Sequence, residues 1–323
     1  MTSAARTCAQ RAAVLAALVL AGALCAAGAP APRQAEKGPA DLLAPGGIPF
    51  DNEESYRLMQ MKPLSANLLA NGSFELGRYW PLGWEPTDGL TTFWIAGGTD
   101  GARAIRIFTD VLDAQWTARE KEVNAALDAA RRRSNGDPQS LPADPIPPPP
   151  ERLPTSPPYY NTVAGLHGVH YRSDYVKVVP GAVYRFCVDA RTEAEGEPKA
   201  FIKSFYDQTM QTSEGVRTVR RDAYVAQMNL DPCDKQWRCY ARLLHPWESK
   251  ATLAGGPLKP EWLQVQLYAY WKPGSYCFDN ARLEIVGMQE AEPGPPAPKP
   301  APPAAAAPPD RGAEEDQFPV FEP

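Results

Sequence analysis

The chain has 323 residues, 36 of them proline, and a formal net charge of −5. A charge this mild gives no electrostatic case for nucleic acid or for an anionic membrane surface as partner. The length allows one or two domains; two stretches are non-globular in composition, so one domain of about 200 residues is expected.

Arg6 and Arg11 precede an apolar run from Ala12 to Leu24, and small residues follow to Ala29. This order of charge, apolar run and small residues predicts a secretory signal over residues 1–29. The run is short of the roughly 20 residues that span a bilayer, so an uncleaved anchor is the lesser reading. A lipid on Cys25 is a further alternative, disfavoured by the large Leu24 before it. The protein is therefore expected to be secreted, periplasmic or in the cell envelope, with no transmembrane span in its mature form.

Residues 30–62 are polar and rich in Pro and Gly and predict an extended lead-in. The body of the domain is expected over residues 63–287. Asn67 to Gly77 (N-L-L-A-N-G-S-F-E-L-G) predicts a short strand ending at Phe74-Glu75, then a loop burying Trp84. Asn71-Gly72-Ser73 matches a glycosylation sequon but reads as structural. Ala102 to Phe108 alternates as a strand.

Residues 113–158 break the strand rhythm. Asp113 to Ser134 predicts a helix with a thin apolar stripe of Trp116, Val123, Ala126, Leu127 and Ala130. Arg131, Arg132 and Arg133 suit its C-terminal end, and Gly136 with Pro138 stops it. The run Pro145 to Pro150 can only be extended. We expect a surface insertion.

Strand signals return at Tyr171–Val179, Tyr184–Arg191, Ala200–Asp207 and Trp237–Leu244. Trp262 to Tyr270 alternates most clearly. Leu263, Val265, Leu267 and Ala269 point one way; Trp262, Gln264, Gln266, Tyr268 and Tyr270 point the other. Pro273-Gly274 marks a turn, and a last strand follows. Many short strands with turns between them predict an all-β sandwich or jelly roll. Residues 288–323 are Pro/Ala-rich, then acidic, and read as a disordered tail.

The region after the signal keeps Cys187, Cys233, Cys239 and Cys277, an even number that in an exported chain predicts two disulfides. Four cysteines allow three pairings, and spacing does not choose. No C-x-x-C pair supports zinc. His167 and His170 would face opposite ways on a strand, so no metal pair is expected there.

The order N-G-S-F-E, P-L-G-W, V-K-V-V-P-G-A-V-Y, a Trp-led strand and finally Y-C-F-D-N-A-R-L resembles the CenC-type carbohydrate-binding modules. The likeness covers roughly Asn67 to Val286. It implies a galactose-binding-like jelly roll with a concave glycan-binding face, on which Tyr171–Val179, Ala200–Asp207 and Trp262–Tyr270 share one sheet. Combined with the alternation above, the outward side would carry Tyr171, Ser173, Tyr175 and Lys177 beside Gln264, Gln266, Tyr268 and Tyr270. Aromatic faces for sugar C–H groups and amides for hydroxyls are the chemistry of such a surface. The ligand-binding set is thus Tyr171, Tyr175, Gln264, Gln266, Tyr268 and Tyr270.

The resemblance also implies a structural calcium at Glu75 and Asp279, with backbone carbonyls around Asn71. It places Cys187 and Cys277 on neighbouring strands, leaving Cys233 and Cys239 to close a short loop; Cys187 with Cys239 is the alternative. Trp94, Trp247 and Trp271 are loop tryptophans open to ligand contact or to packing. No catalytic motif stands out. The expected function is an exported, non-catalytic carbohydrate-binding protein with a glycan partner and no nucleic-acid partner. The alternative is a structural or adhesive envelope protein that uses the same fold to hold a protein partner; an unrecognised hydrolase is a third reading.

Overall fold

Alternating apolar residues dictate which way each strand faces, and here they build two opposed sheets. The computed structural model describes residues 43–44, 46–134, 145–212, 215–246, 252–253, 256–257 and 259–289. The signal, the tail after residue 289 and Trp247 lie outside the described residues.

The first sheet has the order β1 (Thr92–Ala96), β2 (Arg103–Phe108), β12 (Ser275–Met288), β5 (Ala182–Thr192), β8 (Arg238–Leu244). The second has β3 (Val169–Arg172), β11 (Trp262–Ala269), β6 (Lys199–Thr212), β7 (Gly215–Asn229), with β4 (Val176–Lys177) also on β11. Two short strands, β9 (Thr252–Leu253) and β10 (Gly256–Pro257), pair with each other. All the pairings are antiparallel. The chain passes from one sheet to the other at β2–β3, β4–β5, β5–β6, β7–β8, β8–β11 and β11–β12. Two packed antiparallel sheets with these crossings make a jelly-roll β-sandwich.

The core lies between the sheets. Ile105, Ile107, Tyr184, Phe186, Val188 and Phe278 of the first sheet meet Ile202, Leu263, Val265 and Leu267 of the second, all fully buried. The sheet shared by residues 171–179, 200–207 and 262–270 is present as expected. It differs in one detail that matters. From Leu263 to Gln266 is three residues, but their partners Val176 and Arg172 are four apart. This extra residue splits the expected strand Tyr171–Val179 in two and reverses its facing.

Other expectations need correction. The segment 30–62, expected to be extended, contains α1 (Glu53–Gln60). Its start is capped by Asn52, whose Oδ1 accepts from Ser55 N–H at 2.8 Å. The helix packs over the first sheet: Ser55 Oγ accepts from Ala241 N–H, and the Leu58 and Met61 carbonyls accept from Arg185. Phe74-Glu75 ends no strand; Asn71 and Phe74 adopt positive φ of 54° and 58° in a turn. Gly72 is required there because it lies against the backbone of β12. A Cβ at that position would stand 1.8 Å from the Ala281 carbonyl oxygen. The Asn71 amide is spent on the Leu76 and Leu82 carbonyls.

The helix in the insertion forms over Asp113–Arg133, α2, as its periodicity predicts. Its buried face also holds Arg119, whose guanidinium donates to the carbonyls of Asp88 (2.8 Å) and Pro147 (2.7 Å) and to Glu122 (2.7 Å). Proline has no N–H to offer, so its carbonyls need a donor from elsewhere. Arg119 supplies it and ties the polyproline run to the helix. A 3₁₀ turn at Tyr159–Asn161 and a short helix, α3 (Val163–Leu166), lead into β3.

Strand β7 had no apolar alternation to announce it. Its first half pairs only with the far half of β6, because β11 follows β6 no further than Phe205. The result is a two-stranded ribbon running past the sheet.

The expected disulfide pairing is corrected by the strand register. Cys277 pairs opposite Arg191, and Cys187 opposite Arg282. The two thiols are therefore about 13 Å apart along the ladder, beyond bridging distance. Cys239 is buried against Phe50 on the outer side of the first sheet, whereas Cys233 packs against the core. All four are free thiols here. Cys187 and Cys239 lie on adjacent strands of one face but offset, with Cys187 opposite Ala241 and Cys239 opposite Asp189.

Replacing Gly72 by Ala should cost about 3 kcal/mol, because the new methyl group must push the turn off β12. Urea unfolding of the variant and the parent gives the difference.

Candidate functional site

The outer face of the second sheet is built by three rows. On β11, Leu263, Val265, Leu267 and Ala269 are fully buried in the core, which leaves Trp262, Gln264, Gln266 and Tyr268 on the other side. Register then fixes the neighbours. Trp262 stands opposite Phe205, Gln264 opposite Lys203, Gln266 opposite Phe201 and Tyr268 opposite Lys199. On the other flank Tyr268 meets His170, Gln266 meets Arg172 and Trp262 meets Lys177.

Two aromatic groups result. At one end Tyr268 contacts His170 (ring centroids 4.4 Å), Phe201 (5.4 Å) and Tyr270 (6.3 Å, nearly parallel). Tyr270 is 37% exposed. Beyond it Tyr160 and Trp271 stack at 5.8 Å, both exposed. At the other end Trp262 lies between two cations, Lys177 at 4.3 Å and Arg220 at 4.5 Å, and its Nε1–H donates to Asp207. Arg220 also covers Tyr175 and pairs with Asp207 at 2.9 Å. The Tyr268 end is open; the Trp262 end is closed by its own contacts.

The amides lie between these groups. Gln264 and Gln266 are on the outer side, as the alternation predicts, but they are only 8% and 4% exposed. Larger side chains stand on both sides, and the amides are used internally. Gln266 Nε2 donates to Gln264 Oε1 (3.0 Å), and Gln264 Nε2 to the Ser173 carbonyl (2.9 Å). They form a floor and do not reach outward.

Tyr171 corrects the facing expected for it. It is fully buried and stacks on Trp84, centroids 5.7 Å apart and planes 2° apart. The extra residue after Arg172 is the reason: His170 and Arg172 face outward in its place, and facing returns to the expected phase at Tyr175 and Lys177. Ser173 is also buried, its Oγ accepting from Val265 N–H. Trp94, expected in a loop, lies on β1 instead, paired opposite Ile105, and is held by packing, with Nε1–H donating to the Phe74 carbonyl. His170, Phe201, Lys199 and Lys203 were missed. The signal was available: in A-F-I-K-S-F the small and aliphatic half goes inward and the aromatic and cationic half outward.

Helix α2 stands beside β3 and leaves a cleft of about 140 Å³, lined among others by Glu85, Trp116, Glu120, His170 and Arg172. Glu85 accepts from Arg172 N–H (3.0 Å) and pairs with its guanidinium (3.2 Å), closing the free edge of β3. Burial outweighs this ion pair and raises the Glu85 carboxyl from 4.5 to about 7. His170 is pushed down to about 4, by burial first and then by Arg172, Lys203 and His167. Its imidazole is neutral at pH 7, and Nδ1 has no hydrogen-bond partner among the described residues.

Glu75 and Asp279 both turn onto the loop 97–103. Asp279 Oδ2 accepts from Thr99 N–H (2.5 Å) and Asp100 N–H (2.9 Å), and Glu75 Oε1 from Arg103 N–H (2.6 Å). Asp279 is fully buried, its pKa raised by burial to about 6 against several hydrogen bonds. Its strand partner Asp189 is buried too, with Oδ1 unpartnered among the described residues and its pKa raised for the same reason. Buried carboxylates are hard oxygen donors of the kind calcium takes, although the loop now turns N–H groups toward them. Among the described residues no cluster of three or more His, Cys, Asp or Glu stands ready for a metal, so main-chain oxygens would have to complete the shell.

A jelly-roll sandwich with an aromatic outer face is what the chain's own geometry defines. No protein-family model and no curated protein matches the sequence. Similar solved structures include a putative sugar binding protein from Bacteroides thetaiotaomicron (13% identity, 68% of this chain and 99% of that one, TM-score 0.35). The xylan-binding domain CBM22-1 of Paenibacillus barcinonensis Xyn10C is another (10% identity, 72% and 97%, TM-score 0.32). A third is the enzymatically active domain of tailspike protein 4 from bacteriophage CBA120 (13% identity, 68% of this chain, TM-score 0.35), of which this chain spans 22%. Similarities at this level assign no function.

Glu85 gives a pH test. Its folded pKa lies above the ordinary 4.5, so the folded state holds the proton more tightly. Stability should fall as pH rises from 4.5 to about 7 and stay low above that. Glu85→Gln keeps an acceptor for Arg172 N–H and loses the buried charge. It should be more stable than the parent at pH 8 by about 1–2 kcal/mol, the gap closing toward pH 4.5. Denaturant titrations across that range measure it.

Proposed function

We propose that the chain is an exported, non-catalytic carbohydrate-binding protein of the CenC-like kind, and that the outer face of the second sheet holds the glycan. The observation that carries the reading is the open cluster of Tyr268, Tyr270, Phe201 and His170 on the outside of a sheet whose other side is the core. Rings in that position offer faces to sugar C–H groups, and Lys199 and Lys203 beside them offer donors to hydroxyls. Gln264 and Gln266 stiffen the floor. Each polar contact adds about 1 kcal/mol net, so affinity should be micromolar or weaker, roughly.

The non-catalytic part rests on how Glu85 is used. A carboxyl with a pKa near 7 in a cleft suits a general acid, but both its oxygens are committed to Arg172 on β3. Export rests on the sequence of residues 1–29. A protein partner in the envelope is the second reading, and the exposed Tyr160 and Trp271 favour it.

The proposal includes a structural calcium held by Glu75 and Asp279. It would neutralise the buried carboxylate at 279 and fix the loop 97–103 to the last strand. The N–H groups now donating to these oxygens would turn away to admit it.

On a glycan array the protein should give hits that Tyr268→Ala and Tyr270→Ala each weaken about tenfold, the exposed Tyr270→Ala with unchanged unfolding temperature. No glycan hits, together with a captured protein partner, would replace this reading by the second. Calcium added to chelator-treated protein should raise Tm by several degrees, and Asp279→Asn should remove that rise. A Tm indifferent to calcium rejects the metal.

A further inference from the structure

Charge on the outer face of the second sheet is not distributed like charge on the chain. The chain as a whole is acidic, at −5. From its middle to the Tyr268 end this face carries Arg172, Lys199 and Lys203, in register with Gln266, Tyr268 and Gln264. At the Trp262 end the cations are matched: Arg220 with Asp207 at 2.9 Å, and Lys177 with Glu261 at 3.5 Å. From the middle to the Tyr268 end they are not. Neither Lys199 nor Lys203 makes an ion pair with a described residue. Arg172 has one carboxylate, Glu85, whose proton affinity is raised by burial, so at neutral pH the pair is only partly ionic.

A second observation reports the same field from another residue. His170 sits at the open Tyr268 end of the face, and after burial the groups that hold its proton off are Arg172, Lys203 and His167. The site is positive where it is open.

We infer that the glycan taken by this face is anionic, a polysaccharide carrying uronic-acid carboxylates, and that Lys203, Lys199 and Arg172 receive them. The inference rests on the glycan-binding reading above and narrows it. The geometry suits alternating contacts. Tyr268 and Phe201 give a ring a flat surface, and Lys203 and Lys199 lie on β6 four residues apart, on either side of Phe201. At about 3.3 Å per residue they stand about 13 Å apart, a span of two to three sugar units. A lysine ammonium beside a partly buried floor loses less to solvent screening than one on a fully exposed surface.

The test titrates the full-length protein with polygalacturonate, alginate and hyaluronate, each in its native form and in its carboxyl-reduced form. At low salt at least one acidic form should bind about tenfold more tightly than its reduced counterpart, and high salt should remove that difference. Lys203→Gln and Lys199→Gln should each lower binding of the acidic form several-fold, by more than they lower binding of the reduced form, with Tm unchanged. Equal binding of acidic and reduced forms overturns the inference and leaves the glycan reading standing. Binding of neither form overturns the inference; if the glycan array is blank as well, the broader reading falls with it.

Discussion

The outer face exists because β11 cannot turn over. Burying Leu263, Val265 and Leu267 contributes about 6 kcal/mol relative to exposing them. A shift of one residue would put glutamines and tyrosines into the core in their place. The strand is also held on both flanks, by β3 and β4 on one side and β6 on the other. With its inward half fixed, its outward half is fixed too, and every outward residue on the neighbouring strands follows by register. Binding chemistry on this face is therefore a by-product of core packing, which makes it rigid without any contact of its own.

The same logic explains what could be read from the sequence. Where every second residue of a strand is apolar and goes to the core, alternation shows it, whatever covers the other side. That held for β11, β5, β6, β8 and β12, and the two-sheet architecture followed. It failed in three ways. One extra residue between Arg172 and Val176 leaves no compositional trace, yet it moved Tyr171 from the surface to the core. In the ribbon half of β7 neither face is buried, so V-R-T-V-R-R carries no strand signal. And parity tells which side a residue is on but not how open that side is. Gln264 and Gln266 face outward and are still covered, because Phe201, Lys203 and Arg172 stand beside them. Register, which needs the fold, supplied the residues that sequence left out.

The insertion shows how a polar residue can take a core role. Periodicity found α2 and most of its apolar stripe but treated the helix as decoration. Arg119 on that stripe is buried and gathers the carbonyls of Asp88 and Pro147, so helix, polyproline run and the loop before β1 are held at one guanidinium. This fixes the wall of the cleft beside β3. The face thus has a wall on one flank, where Glu85 clamps the edge strand, and an open edge at β7 on the other. A long polymer would have to lie across this asymmetry.

The ribbon formed by the far halves of β6 and β7 has a consequence for the life of the molecule. Its rungs run from Tyr206–Arg221 out to Thr212–Gly215, and among the described residues no third strand lies alongside and no second layer covers Val216 or Met210. Two strands with solvent on both sides are marginal on their own. This arm should open and close many times while the sandwich stays intact. Its amides would take up deuterium long before those of β11, and within the sandwich a protease would cut here first. Damage would begin at the tip and stop at Phe205, where the third strand joins, leaving the aromatic face whole.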